Sequence, residues 1–411
     1  MKHLFFFALS ILMISRIDAQ SAGIDEVIDL INSNSITNYI TALQNFGTRF
    51  MMSPNRFEVA EYIKAEFESM GFTDVKLDSF LCRTSNTEIL GLDIDTTTIQ
   101  VNVVATLPGT EKPDEIYIIC GHYDSFTDNA DLYITAPGAD DNASGTTAVL
   151  ESARAVMAAG YQPKATLRFI ALAAEELMGF GDGGSEMYAP AAATRGDDIK
   201  FVVNNDMIGY YAGGPASNTI NMGHHDSPHL GRAFYFANNY SDLYVAAEGY
   251  NGADLRPFIE EGYDGVYFEE TPWPNPNYHK SYDVVENVDI QYCTEAIKAS
   301  CAVLIGLESV LTDVDDYVLP QDFTLFQNYP NPFNPSTKIN YEIPEAGNVT
   351  LIVYDILGRK VAELVNQFKP AGFYSVEFNP NTVDTYLSSG IYLYSLNVNG
   401  FHQSRKMMLL K

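Results

Sequence analysis

Basic residues are scarce in this chain. Lysine and arginine number 24 against 53 aspartates and glutamates, a formal net charge of −29. Such a surface repels polyanions, which excludes nucleic acid and anionic membrane as expected partners. Cysteine is scarce too, with four residues in 411: Cys82, Cys120, Cys293 and Cys301. That is too few for a disulfide scaffold of this length. Cys293 and Cys301 fall eight residues apart on one expected helix, about 12 Å at the helical rise and too far to bridge. A Cys82–Cys120 bridge and four buried thiols both stay open. Long apolar runs are missing beyond Ile14, so no transmembrane segment is expected later in the chain.

What is present begins with the N-terminus. Met1-Lys2-His3 precedes the apolar run Leu4 to Ile14, and the polar stretch SRIDA ends at Ala19. A basic start, a short apolar core and a small residue before the cut predict a signal peptide over residues 1–19. The mature chain is then expected to be exported and soluble. Its length predicts two domains. Amphipathic helices are expected over Gly23 to Asn45, Pro54 to Met70 and Thr146 to Ala159, and a last one over about Val288 to Val310. Between them VKLDSF and IQVNVVATL alternate like half-buried strands. IYIIC, LRFIAL, KFVVN and VYFE are short continuous apolar runs. Such runs separated by helices predict an α/β domain with a mixed, mostly parallel central sheet flanked by helices.

The pattern changes near Leu319. From there to Lys411 no helix is expected, and STKINYEI, VTLIVYDI, FYSVEF and IYLYSLNV read as alternating strands. Asn399-Gly400 is a hairpin signal. This stretch balances seven acidic against seven basic residues, so the whole acidic excess lies before it. A small C-terminal all-β sandwich is predicted over 323–411. The stretch 312–322 is its linker, and 20–311 is the α/β domain.

The chemistry-bearing residues follow the buried runs. GHYDS, with His122 and Asp124, follows IYIIC. AAEELMG, with Glu175 and Glu176, follows LRFIAL. NDMIGY, with Asp206, follows KFVVN, and PNYHKSYD, with His279 and Asp283, lies past VYFEE. The turn PGADDNASG places Asp140 and Asp141 before a helix. In open α/β sheets ligands bind beyond the carboxyl ends of the strands, where all of these fall. A lone histidine or a Glu-Glu pair at a strand end is ordinarily structural. Five coincidences on one edge point instead to a metal site, since imidazole and carboxylate suit Zn²⁺. Two histidines, two terminal carboxylates and a shared one would suit two ions, with one further glutamate left as base.

These motifs, in this order, resemble those of the secreted di-zinc aminopeptidases related to bacterial leucyl aminopeptidase. The likeness runs from Ile24 to Leu311 and includes FGTRF near the N-terminus. It implies two Zn²⁺ per chain bridged by Asp141. Glu176 and His279 would complete one site, and His122 and Asp206 the other. It further implies Glu175 as general base and Asp124 as the carboxylate orienting His122. Tyr250 would hydrogen-bond the substrate carbonyl, and the bond Asp141–Asn142 would be cis. The substrate implied is a peptide or protein N-terminus. The sequence departs from the family at Ala253-Asp254-Leu255, where Ser-Asp-His is common.

The segments NYPNPFNPSTKINY, YDILGRKV, LSSGIYLYSL and RKMMLLK resemble the C-terminal sorting domain of type IX secretion substrates. That likeness covers Phe323 to Lys411. It implies the outer-membrane secretion machinery of a Gram-negative bacterium as a partner, and a secreted or surface location reached through the periplasm. Other readings are a glutaminyl cyclase or carboxypeptidase on the same fold, or an inactive surface-binding protein.

Overall fold

The computed structural model describes residues 23–89, 92–176, 182–212, 219–225, 227–246, 252–271, 274–311, 323–328, 331–344, 347–369, 372–382 and 387–411. The signal peptide and the 312–322 linker lie outside these residues, as does Tyr250.

The first amphipathic segment forms two helices, α1 (Ile24–Ile28) and α2 (Ser33–Gln44), where the sequence predicted one. Asn32 explains the break: its backbone is extended and its side chain accepts from Ser35 N, which starts a new helix. Next come α3 (Arg56–Ser69) and the paired strands β1 (Asp74–Ile89) and β2 (Leu92–Leu107). Strand β3 (Lys112–His122), α4 (Ala143–Ala159), β4 (Ala165–Leu172), α5 (Gly184–Arg195) and β5 (Asp198–Asn205) follow. The unit is completed by β6 (Thr219–His224), α6 (Leu230–Tyr240), β7 (Tyr244–Ala246), α7 (Arg256–Glu260), β8 (Gly265–Glu270) and α8 (Ile290–Leu311).

These strands form one eight-stranded sheet in the order β1-β2-β4-β3-β5-β8-β6-β7. Its centre, β4-β3-β5-β8, is parallel, while β1, β2 and the β6–β8 contact are antiparallel. The central strands are buried on both faces, as their continuous apolar runs require. Their register sets the rim of the site: His122 stands opposite Leu172, Cys120 opposite Asn204, and Asn205 opposite Phe268. Helix α8 is long and apolar enough to cross a membrane, but its most apolar stretch is largely buried in the fold. It packs with α4, α6 and β5 as a core helix. All four cysteines are buried free thiols, so the Cys82–Cys120 bridge is not formed.

The C-terminal region has its own apolar core. One sheet orders β13 (Gly372–Phe378), β10 (Thr337–Ile343) and β9 (Thr324–Leu325). The other orders β12 (Lys360–Lys369), β11 (Gly347–Tyr354), β14 (Gly390–Val398) and β15 (Phe401–Leu409). Asn399 and Gly400 have φ of 47° and 84°, the left-handed pair that a two-residue hairpin turn needs. Strand β12 was not predicted. Its pairing with β11 shifts register twice, which breaks the period-2 pattern a strand shows in sequence. The region rests against α6: Lys338 Nζ donates to Asn238 O at 3.3 Å and Ser241 O at 2.9 Å.

Candidate active site

The turn of residues 137–142 brings two neighbouring carboxylates to different places. Asp140 turns away from the rim: its side chain accepts from Gly209 N at 2.8 Å and Asn275 Nδ2 at 2.7 Å. Asp141 faces the rim. Its Oδ1 lies 3.5 Å from His122 Nε2 and its Oδ2 lies 3.3 Å from His279 Nε2. His122 Nε2 is also 3.4 Å from Asp206 Oδ1, and His279 Nε2 is 2.9 Å from Glu176 Oε2. The two oxygens of one carboxylate thus look onto two separate histidine–carboxylate pairs. Glu175 Oε2 stands 3.7 Å from His122 Nε2.

Much of the surrounding structure holds these groups in place. The peptide bond Asp141–Asn142 is cis. Asn142 caps α4 by accepting from Gly145 N at 2.8 Å, and its amide donates to Asn205 O. Gly145 has no room for a side chain, since a Cβ there would meet Asn205 O at 2.3 Å. The Asp283 carboxylate accepts from the backbone N–H of both Asp140 and Asp141 at 3.0 Å. Asp124 lies 3.3 Å from His122 Nδ1, and it also accepts from Glu175 N at 3.0 Å and Glu176 N at 3.2 Å. It therefore anchors the loop carrying both glutamates as well as facing the imidazole. Ala174, Met207 and His279 are left-handed at φ of 62°, 49° and 55°. Non-glycine residues in that region are strained, and here they cluster beside the rim.

Arg49, from the FGTRF stretch, is 1% exposed. Its guanidinium donates to Tyr123 O at 2.7 Å, Pro137 O at 2.6 Å and Gly138 O at 2.8 Å. It so joins the loop after His122 to the loop before Asp141. Gly138, at φ of 53°, lies beneath the fork, and a Cβ there would meet Asp141 O at 2.4 Å. Burial lowers the Arg49 pKa to about 10, against the pull of Asp283, Asp124, Asp141 and Glu176.

The electrostatics show a site short of positive charge. Burial pushes Glu175 well above the usual carboxyl range; His122 opposes this, while Asp206, Asp254 and Glu176 add to it. Glu176 rises to about 7 through burial and the charge of Asp141, with His279 opposing. Burial alone would lower His279, but Glu176 and Asp141 raise it to about 10. His122 is likewise raised, its burial outweighed by Asp206, Glu175, Asp124 and Asp141. Asp141 is held below its ordinary value by His122 and His279, although burial works the other way. Both ring nitrogens of His122, Glu176 Oε1 and Asp206 Oδ1 are buried without a hydrogen bond of proper geometry. Orphaned buried polar atoms crowded among carboxylates are what a cation would satisfy, displacing the imidazole protons as it bound. Ligating atoms of His122, Asp141 and Glu176 all lie within 4.8 Å of one another. The nitrogen–oxygen donor set suits zinc.

The same shortage extends to Asp254. It is fully buried, its carboxylate lacks a well-formed hydrogen bond, and burial lifts its pKa to about 7. Reading the sequence left this residue without a role. Its only signal was the aspartate retained within a motif whose neighbours had changed.

The description "Peptidase family M28" matches residues 102–304, and "Secretion system C-terminal sorting domain" matches residues 327–410. A probable zinc metalloprotease of Pyrenophora tritici-repentis is 30% identical over 341 residues, covering 69% of this chain and 76% of the relative. The chain belongs to peptidase family M28. The family is one of zinc metalloproteases, and its residues 102–304 hold every rim group described above. The fold is also similar to that of the LapA aminopeptidase of Legionella pneumophila, with a TM-score of 0.57 at 24% identity over 70% of this chain and 74% of that one. It is similar to a glutaminyl cyclase of Tannerella forsythia as well, with a TM-score of 0.56 at 19% identity over 67% and 98%. The M28 fold is thus shared by more than one chemistry. The sorting-domain match marks the protein as a secreted or cell-surface one.

Proposed function

We propose that this M28 peptidase is a secreted aminopeptidase that removes residues from peptide and protein N-termini. The observation that supports it most is the divided Asp141 carboxylate, with His122, itself beside Asp206, facing Oδ1 and His279, itself beside Glu176, facing Oδ2. In this reading His122 and Asp206 would hold one zinc ion, His279 and Glu176 would hold another, and Asp141 would serve both. Bound zinc would supply Lewis acidity to the scissile carbonyl and to the attacking water.

Glu175 does the proton work. In this reading it is not a ligand; it lies beside His122 and has its affinity for a proton raised by burial. It takes a proton from the water whose oxygen attacks the carbonyl carbon. It delivers that proton to the nitrogen as the C–N bond breaks. Asp124 holds the backbone of Glu175 and Glu176 and orients His122. Tyr250 would hydrogen-bond the carbonyl oxygen. The excess of carboxylates over imidazoles favours a substrate that brings its own α-amino group, which points to cleavage at the N-terminus.

We further assign residues 1–19 to a signal peptide, 20–311 to the peptidase, 312–322 to a linker and 323–411 to the sorting domain. Export would run through the periplasm and across the outer membrane of a Gram-negative bacterium. A panel of aminoacyl-nitroanilides, with zinc content measured on the same sample, tests the activity. Two zinc ions per chain, turnover of a free-amino substrate and none of its N-acetylated form are expected. One zinc with cyclisation of N-terminal glutamine would favour the glutaminyl cyclase chemistry instead. One zinc unaffected by Asp206→Asn would overturn the two-ion site.

A further inference from the structure

The ribbon formed by β1 and β2 is longer than the sheet it belongs to. Strand β2 pairs with β4 only over Val103 to Leu107, whereas β1 and β2 stay paired out to Ile89 opposite Leu92. Val103 stands opposite Ala171, which puts Asn102 level with Leu172, and Leu172 is opposite His122. Asn102 is tied there, accepting from Ala173 N at 3.0 Å and donating to Gly184 O at 3.0 Å. Because β2 runs antiparallel to β4, everything from Val101 back to Leu92 continues past the rim, on the side where His122, Glu175 and Asp206 lie.

Strand geometry gives the size of this projection. The ten residues from Asn102 to Leu92 reach ~34 Å at the rise of an extended strand. Glu175 is three residues past Leu172, at most ~10 Å above the same level. Roughly 24 Å of ribbon therefore stands above the site. Two strand spacings separate β2 from β3, so the ribbon rises only ~10 Å to one side of His122.

The ribbon is braced at its base. Gln100 Nε2 donates to Met51 O at 2.8 Å, Arg56 Nε donates to Ile99 O at 3.2 Å, and Arg83 N donates to Asp182 Oδ2 at 3.4 Å. Cys82, Thr84 and Gln100 are buried on one face, while Leu81 and Ile99, which stand opposite each other, are 62% and 48% exposed on the other. The Met51 side of this brace continues through Phe50 to Phe126 and on to His279, with ring centroids 6.4 and 4.8 Å apart. One face thus belongs to the catalytic unit and the other to solvent.

We infer that the β1–β2 ribbon is a fixed wall of the substrate cleft that makes this enzyme selective for flexible, extended chain ends. A globular domain is wider than the ~10 Å between ribbon and site, so on the ribbon's flank of the cleft it is held off by the ribbon's height. An extended peptide is not. The remaining ~24 Å corresponds to about seven extended residues between the scissile bond and the first folded residue. This inference rests on the aminopeptidase reading.

The test substrate is a thermostable folded domain bearing a flexible N-terminal extension of about twelve residues, longer than the expected stand-off. Trimming is followed by mass spectrometry, alongside a leucyl-nitroanilide assay that reports the aminopeptidase reading alone. The full-length enzyme should stop with about seven residues of the extension left. Replacing residues 84–96 with Asn-Gly closes the Arg83–Thr97 pair with a two-residue turn. This should move the stop to about two or three residues while leaving leucyl-nitroanilide turnover within about twofold. Trimming by the full-length enzyme up to the folded boundary would overturn the inference, whether or not the shortened variant folds. So would a stop that stays in place when a folded, active variant has lost the ribbon's outer part. Loss of nitroanilide turnover by the full-length enzyme would instead strike the aminopeptidase reading.

Discussion

The peptidase unit and the C-terminal β region handle charge in opposite ways. The first carries the whole acidic excess of the chain and draws part of it inside, burying Asp124, Asp140, Asp141, Asp206, Asp254, Glu270 and Asp283. The buried guanidinium of Arg49 faces backbone carbonyls. The second is neutral, and the ion pairs Arg359–Asp355 and Lys360–Glu363 stay on its surface. Its interior is an ordinary apolar sandwich core. Buried carboxylates destabilise a fold unless hydrogen bonds, partners or metal compensate them. The group of them gathered at and behind one rim therefore separates a unit built around a reaction from one built as a stable β-domain.

Several substitutions and conditions would break or sharpen this contrast. The largest expected effect is on catalysis. Glu175→Gln should lower turnover ~10²–10⁴-fold, the usual size of general acid–base assistance, with zinc content and thermal stability retained. Near-normal activity in that variant would remove Glu175 from the mechanism. Glu176→Gln, one residue on, should instead weaken zinc binding, measured by competition with a chelating dye.

Arg49→Met comes next. It would leave the Tyr123 and Pro137 carbonyls buried without their donor, at about 1–3 kcal/mol for each orphaned group, while Gly138 O keeps the hydrogen bond from Ala143 N at 3.0 Å. Arg49→Lys should recover only part of the loss, because an ammonium cannot span three carbonyls as a planar fork does. In calorimetry the peptidase transition should fall while that of the β region stays put. A shared fall would mean that the two units unfold as one.

Chelation should expose the charge difference through pH. In the zinc-free protein Asp140 and Asp254 have pKa values raised to about 6 and about 7, and His279 to about 10. Groups raised on folding hold their protons more tightly in the folded state, so their contribution is present at low pH and lost as pH rises. For the carboxyls the loss runs from about pH 4 to 7, and for His279 from about 6.5 to 10. The lowered Asp141 acts with the opposite sign, but only below its ordinary value. The melting temperature of the zinc-free peptidase should thus fall as pH rises through neutrality. Asp355 and Glu363 in the β region are shifted down by their hydrogen bonds, so their contribution is lost as pH falls, while Glu342, raised by burial, acts with the opposite sign above its ordinary value. Zinc should reverse the trend in the peptidase, since its ligands bind deprotonated.

The smallest effect belongs to the contact between the units. Lys338 reaches the C-terminal end of α6, where a cation is worth about 0.3–1 kcal/mol. Lys338→Ala should therefore shift melting by only a few degrees, and deletion of residues 312–411 should leave leucyl-nitroanilide turnover within about twofold. A large loss of activity on deletion would make the β region part of the enzyme.

Both fold classes were legible because each writes its period into the chain. IYIIC, LRFIAL and KFVVN are continuous because they are covered on two faces. Thr337 to Ile343 alternates because it is covered on one. His122, Glu175, Glu176 and Asp206 were legible because each ends or closely follows a buried strand in sequence, whereas Asp141 and His279, in the longer loops after β3 and β8, were legible from their motifs. The break at Asn32 and the strand Lys360–Lys369 were not, since one depends on a single cap and the other on two register shifts.

By itself, then, the sequence determined which residues could meet: His122, Glu175, Glu176 and Asp206 sit at or just past strand ends, and strand ends in a parallel sheet share one edge. Tertiary structure alone decided how they meet. The turn from Asp140 to Asn142 sends one carboxylate inward to Gly209 and Asn275 and splits the other between His122 and His279. The burial of Arg49 and Asp254, and the height of the β1–β2 ribbon above the rim, were decided there too. The physical reason is locality. Period and motif report what a residue's own strand or helix needs, whereas side-chain direction, burial and strand overhang depend on partners that stand far away in the chain.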